Sequence, residues 1–259
     1  MGVYNCKSPE LLRKSVQSIC AQTYKDWEFI ICDDGSTDNT LHLLQEIALS
    51  DSRIHVISYS QNKGLAHALN QCIAHSEGEL IARQDDDDIS LPERLQTQVE
   101  YMDMHPEYAL VGMTAAVYDD SGIWGTFRVP EKPEAKSFLW TNAFLHPTVV
   151  MRREALLASG CYRVAKETSR CEDYDLFMRM YSMGYRGYNL QENLYLYRIV
   201  NDNRKYRTMR YRLEEAKVRY IGFKSLGLLP KGLPYVLKPI LVGLIPQSIF
   251  RRIRHAQYD

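Results

Sequence analysis

The chain has 259 residues, 45% of them apolar, enough to bury a large core in one compact body with room for a second lobe. No run reaches the roughly 18 uninterrupted apolar residues of a spanning helix, and no basic segment followed by an apolar core opens the chain, so neither an embedded nor a secreted protein is expected. The net charge of zero hides a split: residues 1–197 carry 18 Lys+Arg against 28 Asp+Glu and residues 198–259 carry 14 against 4, an acidic body followed by a basic tail.

In chain order, apolar runs of strand length alternate with helical periodicity, the pattern of βαβ units in an α/β sheet. Ser8-Pro9-Glu10 reads as an N-cap, a first-turn proline and an acidic first turn, with Leu11, Leu12, Val16 and Ile19 at helical spacing behind it. A strand over Glu28–Cys32 ends in the turn Asp33-Asp34-Gly35-Ser36-Thr37-Asp38, and a helix follows with Leu41, Leu44, Ile47 and Ala48 on one face. Ile54–Ile57 is a further strand, and the loop Asn62-Lys63-Gly64 opens a helix from Leu65 to about Ser76. Leu80-Ile81-Ala82 completes the series, and Pro92–Met104 is the next helix. Six cysteines without CxxC spacing, several in apolar runs, read as reduced thiols of a cytosolic protein.

Between that last strand and helix stand four carboxylates, Asp85, Asp86, Asp87 and Asp88. Like charges so close favour protonation unless a cation or basic group answers them, and a hard divalent ion with oxygen ligands does so economically. A solvated acidic turn capping the next helix is the alternative. In an open α/β sheet ligands bind beyond the carboxyl ends of the strands, where Val3-Tyr4-Asn5, Asp33-Asp34-Gly35-Ser36 and the aspartate cluster are expected to converge. Neither GxxxxGK[ST] nor GxGxxG is present, which argues against P-loop and dinucleotide-binding readings.

Gly2-Val3-Tyr4-Asn5, Gln22-Thr23-Tyr24 with Trp27-Glu28, Asp33 to Asp38, Asn62-Lys63-Gly64-Leu65, Ala82-Arg83 with Asp85 to Asp88, and Leu91-Pro92-Glu93-Arg94-Leu95 resemble, in this order, the family 2 glycosyltransferases of GT-A fold. His146-Pro147-Thr148 and Glu172-Asp173-Tyr174-Asp175 match the family's acceptor half, so the resemblance spans residues 1–198. It implies an α/β fold, a GT-A Rossmann-like mixed sheet flanked by helices. Residues 1–105 would form the nucleotide-sugar half, 106–200 the acceptor half and 201–259 a basic helical tail. It also implies inverting transfer of a sugar from a nucleoside-diphosphate donor, a UDP-sugar favoured, with Mn²⁺ or Mg²⁺. Asp87 is then the foremost metal ligand, with Asp85 beside it and Asp85 or Asp86 as ligand or ribose contact; the assignment within the cluster stays open by one position. Tyr4 corresponds to the base-stacking aromatic and Asp34 to the base-contacting carboxylate, while Lys63, Arg83, His146 and Arg198 fall on the donor side.

Inversion needs a carboxylate to take the proton of the attacking acceptor hydroxyl. Asp173 is the candidate base, at the start of a helix whose Leu176, Phe177, Met180 and Met183 face the core, where the dipole keeps a carboxylate ionised; Asp175 reads as structural. Two departures from the family stand out. A short apolar strand usually precedes the Gly2-Val3-Tyr4-Asn5 equivalent, so Met1 is expected to be an internal methionine. A histidine is usual shortly after the equivalent of Tyr197-Arg198, where this chain has Ile199-Val200-Asn201.

In the tail, Arg204, Lys205, Arg207, Arg210 and Arg212 alternate with Tyr206 and Tyr211. An apolar stretch broken by Pro230, Pro234, Pro239 and Pro246 then leads to Arg251-Arg252-Ile253-Arg254. Short amphipathic pieces on an anionic membrane surface suit this pattern, and so does packing on the body; both readings stand. No recognisable nucleic-acid module accompanies the basic residues, and no nucleic-acid partner is expected. The function expected is transfer of a sugar to a glycan or lipid-linked acceptor for surface polysaccharide, at the cytoplasmic face of the membrane. A sugar nucleotidyltransferase and an inactive carbohydrate-binding relative are the alternatives. Donor and acceptor choice would rest on the loop from about Asp119 to Lys136 and on the tail.

Overall fold

A computed structural model describes residues 1–200 and 208–244. The first sheet is parallel, in the order β1 (Gly2–Val3), β2 (Phe29–Asp33), β3 (Ile54–Ser58). Helices α1 (Pro9–Cys20) and α2 (Thr40–Ala48) make its crossovers and α3 (Leu65–His75) follows β3, all three where periodicity placed them. Ser8 caps α1 by accepting from the Leu11 N–H at 3.3 Å. Leu43, Leu44 and Ile47 are the buried face of α2, and Leu41 is only half-buried.

β4 (Leu80–Ala82) does not continue this parallel series. It pairs antiparallel with β9 (Val150–Arg152), at the edge of a second sheet that also holds β6 (Leu110–Met113) and β10 (Gly187–Leu190), in the order β10-β6-β9-β4. A third sheet orders β5 (Ile89–Ser90), β11 (Tyr195–Arg198), β7 (Ala115–Asp119) and β8 (Gly122–Phe127). The aspartate run is therefore a strand-to-strand corner between β4 and β5. The helix expected at Pro92 begins at Arg94, as α4 (Arg94–Met104). The segment read as a loop from Asp119 is largely the β7–β8 hairpin.

Short α5 (Arg153–Ala158) leads to α6 (Glu172–Ser182), which buries Leu176, Phe177 and Met180 in the main core; Met183 lies past its end and is exposed. Asp175 is structural as expected, accepting from Arg163 Nη2 at 2.7 Å and Arg179 Nε at 2.8 Å. The tail contributes α7 (Met209–Ser225) and α8 (Leu233–Gly243). α7 packs Ala216, Val218 and Phe223 into the main core, and Arg219 Nη1 donates to Leu139 O at 2.9 Å. Arg204, Lys205, Tyr206, Arg207, Pro246, Arg251, Arg252 and Arg254 lie outside the described residues. No described helix is long and apolar enough to cross a membrane.

Candidate active site

The first two loops converge as their positions after β1 and β2 require. Asn5, at φ 45°, donates through its backbone N–H to Ser36 Oγ at 3.0 Å and accepts from the Thr37 N–H at 2.9 Å. Gly35 has φ +67°, and a Cβ there would stand 2.5 Å from the backbone carbon of Gln61, so only glycine lets the turn lie against the 61–64 loop. Asp34, 3% exposed, accepts the Lys63 and Gly64 N–H groups, each at 2.8 Å, and Asn62 Nδ2 at 2.9 Å. Tyr59 Oη adds a fourth donor to the same carboxylate. Asp34 thus binds the 62–64 loop to β2, while Tyr4 stands exposed beside it and the Lys63 amine lies 5.3 Å from the Tyr59 ring.

The aspartate corner is built from below. Arg94, fully buried, donates to Gln84 Oε1 at 3.0 Å, to Arg83 O at 2.8 Å and to Pro147 O at 3.2 Å, tying the strand before the cluster to the 146–148 turn. Asp88 is turned inward, accepting from Tyr195 Oη at 2.9 Å and the Arg198 N–H at 2.7 Å. It anchors β11 and leaves the other three as donor-side candidates. Asp85 pairs with buried Arg83. Burial, reinforced by Asp87 and Asp85, pushes the Asp86 carboxyl up to about 7. Burial and Asp85 also raise Asp87, with the charges of Arg198 and Lys7 acting in the opposite direction.

These are hard oxygen donors whose charge is under-compensated, as a divalent-cation site requires. Among the described residues no three His, Cys, Asp or Glu side chains form a cage. One or two carboxylates suffice for Mg²⁺ or Mn²⁺ when substrate phosphates complete the shell, so Asp86 and Asp87, with Asp85 at the rim, fit the implied ion. Arg198 sends its guanidinium to Asp120 at 2.6 Å, with its Nε buried and unbonded to protein.

Arg83 joins the two halves of the site. Beyond Asp85, its charge reaches Asp86, His146 and Glu172. His146 Nε2 lies 2.8 Å from Tyr162 Oη, and burial, followed by the Arg83 charge, holds its pKa well below the usual range. It is a neutral imidazole that offers a hydrogen bond and no positive charge. Asp173 sits in the first turn of α6, and Asn142 Nδ2 donates to its Oδ2 at 2.7 Å. Glu172 beside it is raised to about 7 by burial and by the Asp173 charge.

Every residue singled out from sequence lies in this region, in two groups: Tyr4, Asp34 and Lys63 around the 33–38 turn, and Arg83, Asp85, Asp86, Asp87, His146, Asp173 and Arg198 around the acidic corner. Asn142, Tyr162, Tyr195 and Lys7 escaped sequence reading. Only Lys7 carried a usable signal, as a lone cation in the first loop.

The sequence model of the family described as Glycosyl transferase family 2 matches residues 1–160. EpsE of Bacillus subtilis (strain 168), which bears a glycosyltransferase name, is 40% identical over 253 residues, 97% of this chain and 90% of that one. The amylovoran biosynthesis glycosyltransferase AmsE of Erwinia amylovora is 27% identical over 257 residues, 97% of this chain and 95% of its own. The crystal structure of S. aureus TarS 1–349 in complex with UDP-GlcNAc superposes with a TM-score of 0.71 at 16% identity, over 98% of this chain and 77% of that chain, a likeness of fold.

Proposed function

The chain belongs to glycosyl transferase family 2, and from that premise we propose that it transfers a sugar, with inversion, from a nucleoside-diphosphate donor to a hydroxyl of a glycan or lipid-linked acceptor. Polysaccharide synthesis is the setting, in line with the name of AmsE, and a UDP-sugar is the favoured donor, in line with the ligand of TarS. The observation that carries the mechanism is Arg83, a single buried guanidinium whose charge reaches the aspartate corner on one side and the start of α6 on the other. A leaving-group end and a proton-accepting end thereby share one site.

Residues 1–105 hold the donor: Tyr4 stacks on the base, and Lys63 faces the nucleoside from the loop that Asp34 fixes to β2. The Asp34 carboxylate is filled by four protein donors and is not open to the base contact expected from sequence. Arg198 meets the diphosphate. Asp86 and Asp87, with Asp85, would hold Mn²⁺ or Mg²⁺, which when bound offsets charge growing on the departing diphosphate. Residues 106–200 hold the acceptor. Asp173, its rotamer held by Asn142, takes the proton of the attacking hydroxyl. Arg83 pairs with Asp85 and orients it, and neutral His146 adds a hydrogen bond near the transferred group. The basic tail, 201–259, places the enzyme peripherally on the anionic cytoplasmic face of a membrane, where a lipid-linked acceptor is presented.

Nucleotide release tests the reading. Incubation with a panel of UDP- and GDP-sugars, with and without Mn²⁺, is expected to free nucleoside diphosphate from one of them, and from a UDP-sugar first. Pyrophosphate from a nucleoside triphosphate, or no nucleotide from any donor, would overturn it. Thermal shift against the same panel identifies the donor independently of the acceptor, because a bound ligand stabilises by mass action.

A further inference from the structure

The bond from Asn142 Nδ2 to Asp173 Oδ2 is only as firm as the turn 139–142 that carries it. The Phe144 N–H donates to Asn142 Oδ1 at 3.4 Å, which orients the amide with its Nδ2 toward Asp173. The carbonyls at the start of the turn are held by two cations of the tail. Arg219 of α7 donates through Nη1 to Leu139 O at 2.9 Å and through Nη2 to Trp140 O at 3.4 Å. Lys238 of α8 donates through Nζ to Trp140 O at 2.6 Å, and the same ammonium lies 3.4 Å from the centroid of the Trp140 ring. Trp140 is 59% exposed, with the Tyr235 ring edge-on to its own, so charged contacts fix this residue where burial does not.

Arg219 also reaches the helix that presents the base. Its guanidinium lies 5.1 Å from the ring centroid of Tyr174, the residue after Asp173, and Tyr174 Oη donates to Phe138 O at the head of the same turn. Arg219 is buried, and its Nε donates to Glu215 Oε1 at 3.1 Å, which sets the planar fork in one orientation. The turn and the start of α6, which meet at Asp173, are thus keyed to one guanidinium, with Lys238 as a second clamp. Anchoring the tail needs only the apolar contacts of Ala216, Val218 and Phe223; it does not need two cations directed at one exposed turn. Both cations lie beyond the residues 1–160 that the family model matches.

We propose that Arg219 and Lys238 are positioning residues for sugar transfer: from α7 and α8 they clamp the turn 139–142, so that Asn142 sets the Asp173 carboxylate against the acceptor hydroxyl. This role rests on Asp173 as the proton acceptor. The tail thereby serves the transfer step as well as the placement of the enzyme, because a base displaced by about 1 Å can cost about 100-fold in rate.

The experiment compares the full chain with Lys238→Met, Asn142→Ala and their combination, turnover being read as UDP or GDP released from the sugar nucleotide that raises the parent's Tm. Lys238→Met is expected to keep that donor shift and to lower kcat by about 100-fold with donor KM unchanged. It is also expected to speed amide hydrogen exchange at Leu139 and Phe144 by about 10-fold. Because both residues act through one turn, the combined variant should lose little more than the worse single one. Lys238→Arg, which keeps a donor for Trp140 O and a cation over the ring, is expected to restore kcat. Arg219→Lys keeps the charge but loses the fork that spans both carbonyls; it should behave as Lys238→Met does, and it takes that variant's place if Lys238→Met does not fold. Unchanged exchange, unchanged kcat, a parallel loss of the donor shift, or losses that multiply in the combined variant would overturn the clamp. A parent protein that releases no nucleotide would overturn the sugar-transfer reading instead, with exchange at Leu139 and Phe144 still reporting whether Lys238 holds the turn.

Discussion

Asp173 was legible as a carboxylate opening a helix, but its fixing partner was not, since Asn142 lies 31 residues earlier and its bond forms only when the 142–146 segment folds against α6. Asp173→Asn keeps the shape and the Asn142 contact region while removing the proton acceptor. It should retain the thermal shift produced by donor and lose turnover by roughly 10²–10⁴-fold; equal loss of donor binding would make Asp173 a structural residue. Glu172 gives a pH signature. Its folded pKa of about 7 stands above its ordinary value of 4.5, so the folded state holds the proton more tightly than the unfolded chain. Stability from this group is fully present below pH 4.5 and is lost as pH rises through about 7. Thermal melts across that range should fall with rising pH in the parent protein, and Glu172→Gln should flatten that component of the slope.

Arg94 shows what an element can hide. In sequence it belongs to Leu91-Pro92-Glu93-Arg94-Leu95, near the start of the helix expected from Pro92. In the fold the start of α4 is driven under the aspartate corner, and its guanidinium satisfies side chains and carbonyls from three separate segments. Arg94→Leu should cost about 3 kcal/mol or more in urea unfolding, because buried acceptors lose their donor. It should also abolish the Mn²⁺-dependent part of the donor thermal shift, since the 83–88 segment loses its support. The three α helices of the first 76 residues were readable, the start of α1 from its Ser8 cap and α3 to within a residue at each end, because caps and apolar spacing are local. The partner of β4 was not, because pairing to β9 spans about 70 residues and leaves no periodic trace in either strand.

At the scale of the whole molecule, the tail divides its apolar surface. α7 commits one face to the core, and α8 buries Val236 while Leu233, Leu237, Leu241 and Leu244 stay exposed, the last at 68%. At positions i, i+4, i+8 and i+11 these form one stripe, beside exposed Lys231 and the basic residues of α7. Each of the two readings of the tail therefore finds residues suited to it. With a membrane interface as the partner of that stripe, the parent protein should sediment with anionic vesicles, and a Leu237→Glu, Leu241→Glu double variant should remain in the supernatant with its Tm unchanged. Binding of both forms alike would remove the lipid assignment. Local features determined by the sequence alone were the first three helices and the Ser8 cap, the turn at Gly35, the position of the aspartate run after β4 and the carboxylate of α6, because each depends on residues a few positions apart. The tertiary structure alone decided that Asp88 faces inward, that Arg83 spans the two halves, that His146 is half-buried and neutral, and that β4 pairs with β9 in a second sheet. Those outcomes depend on which distant segments exclude water from one another, and burial, the quantity that sets charge state and strand pairing, is a property of the assembled body.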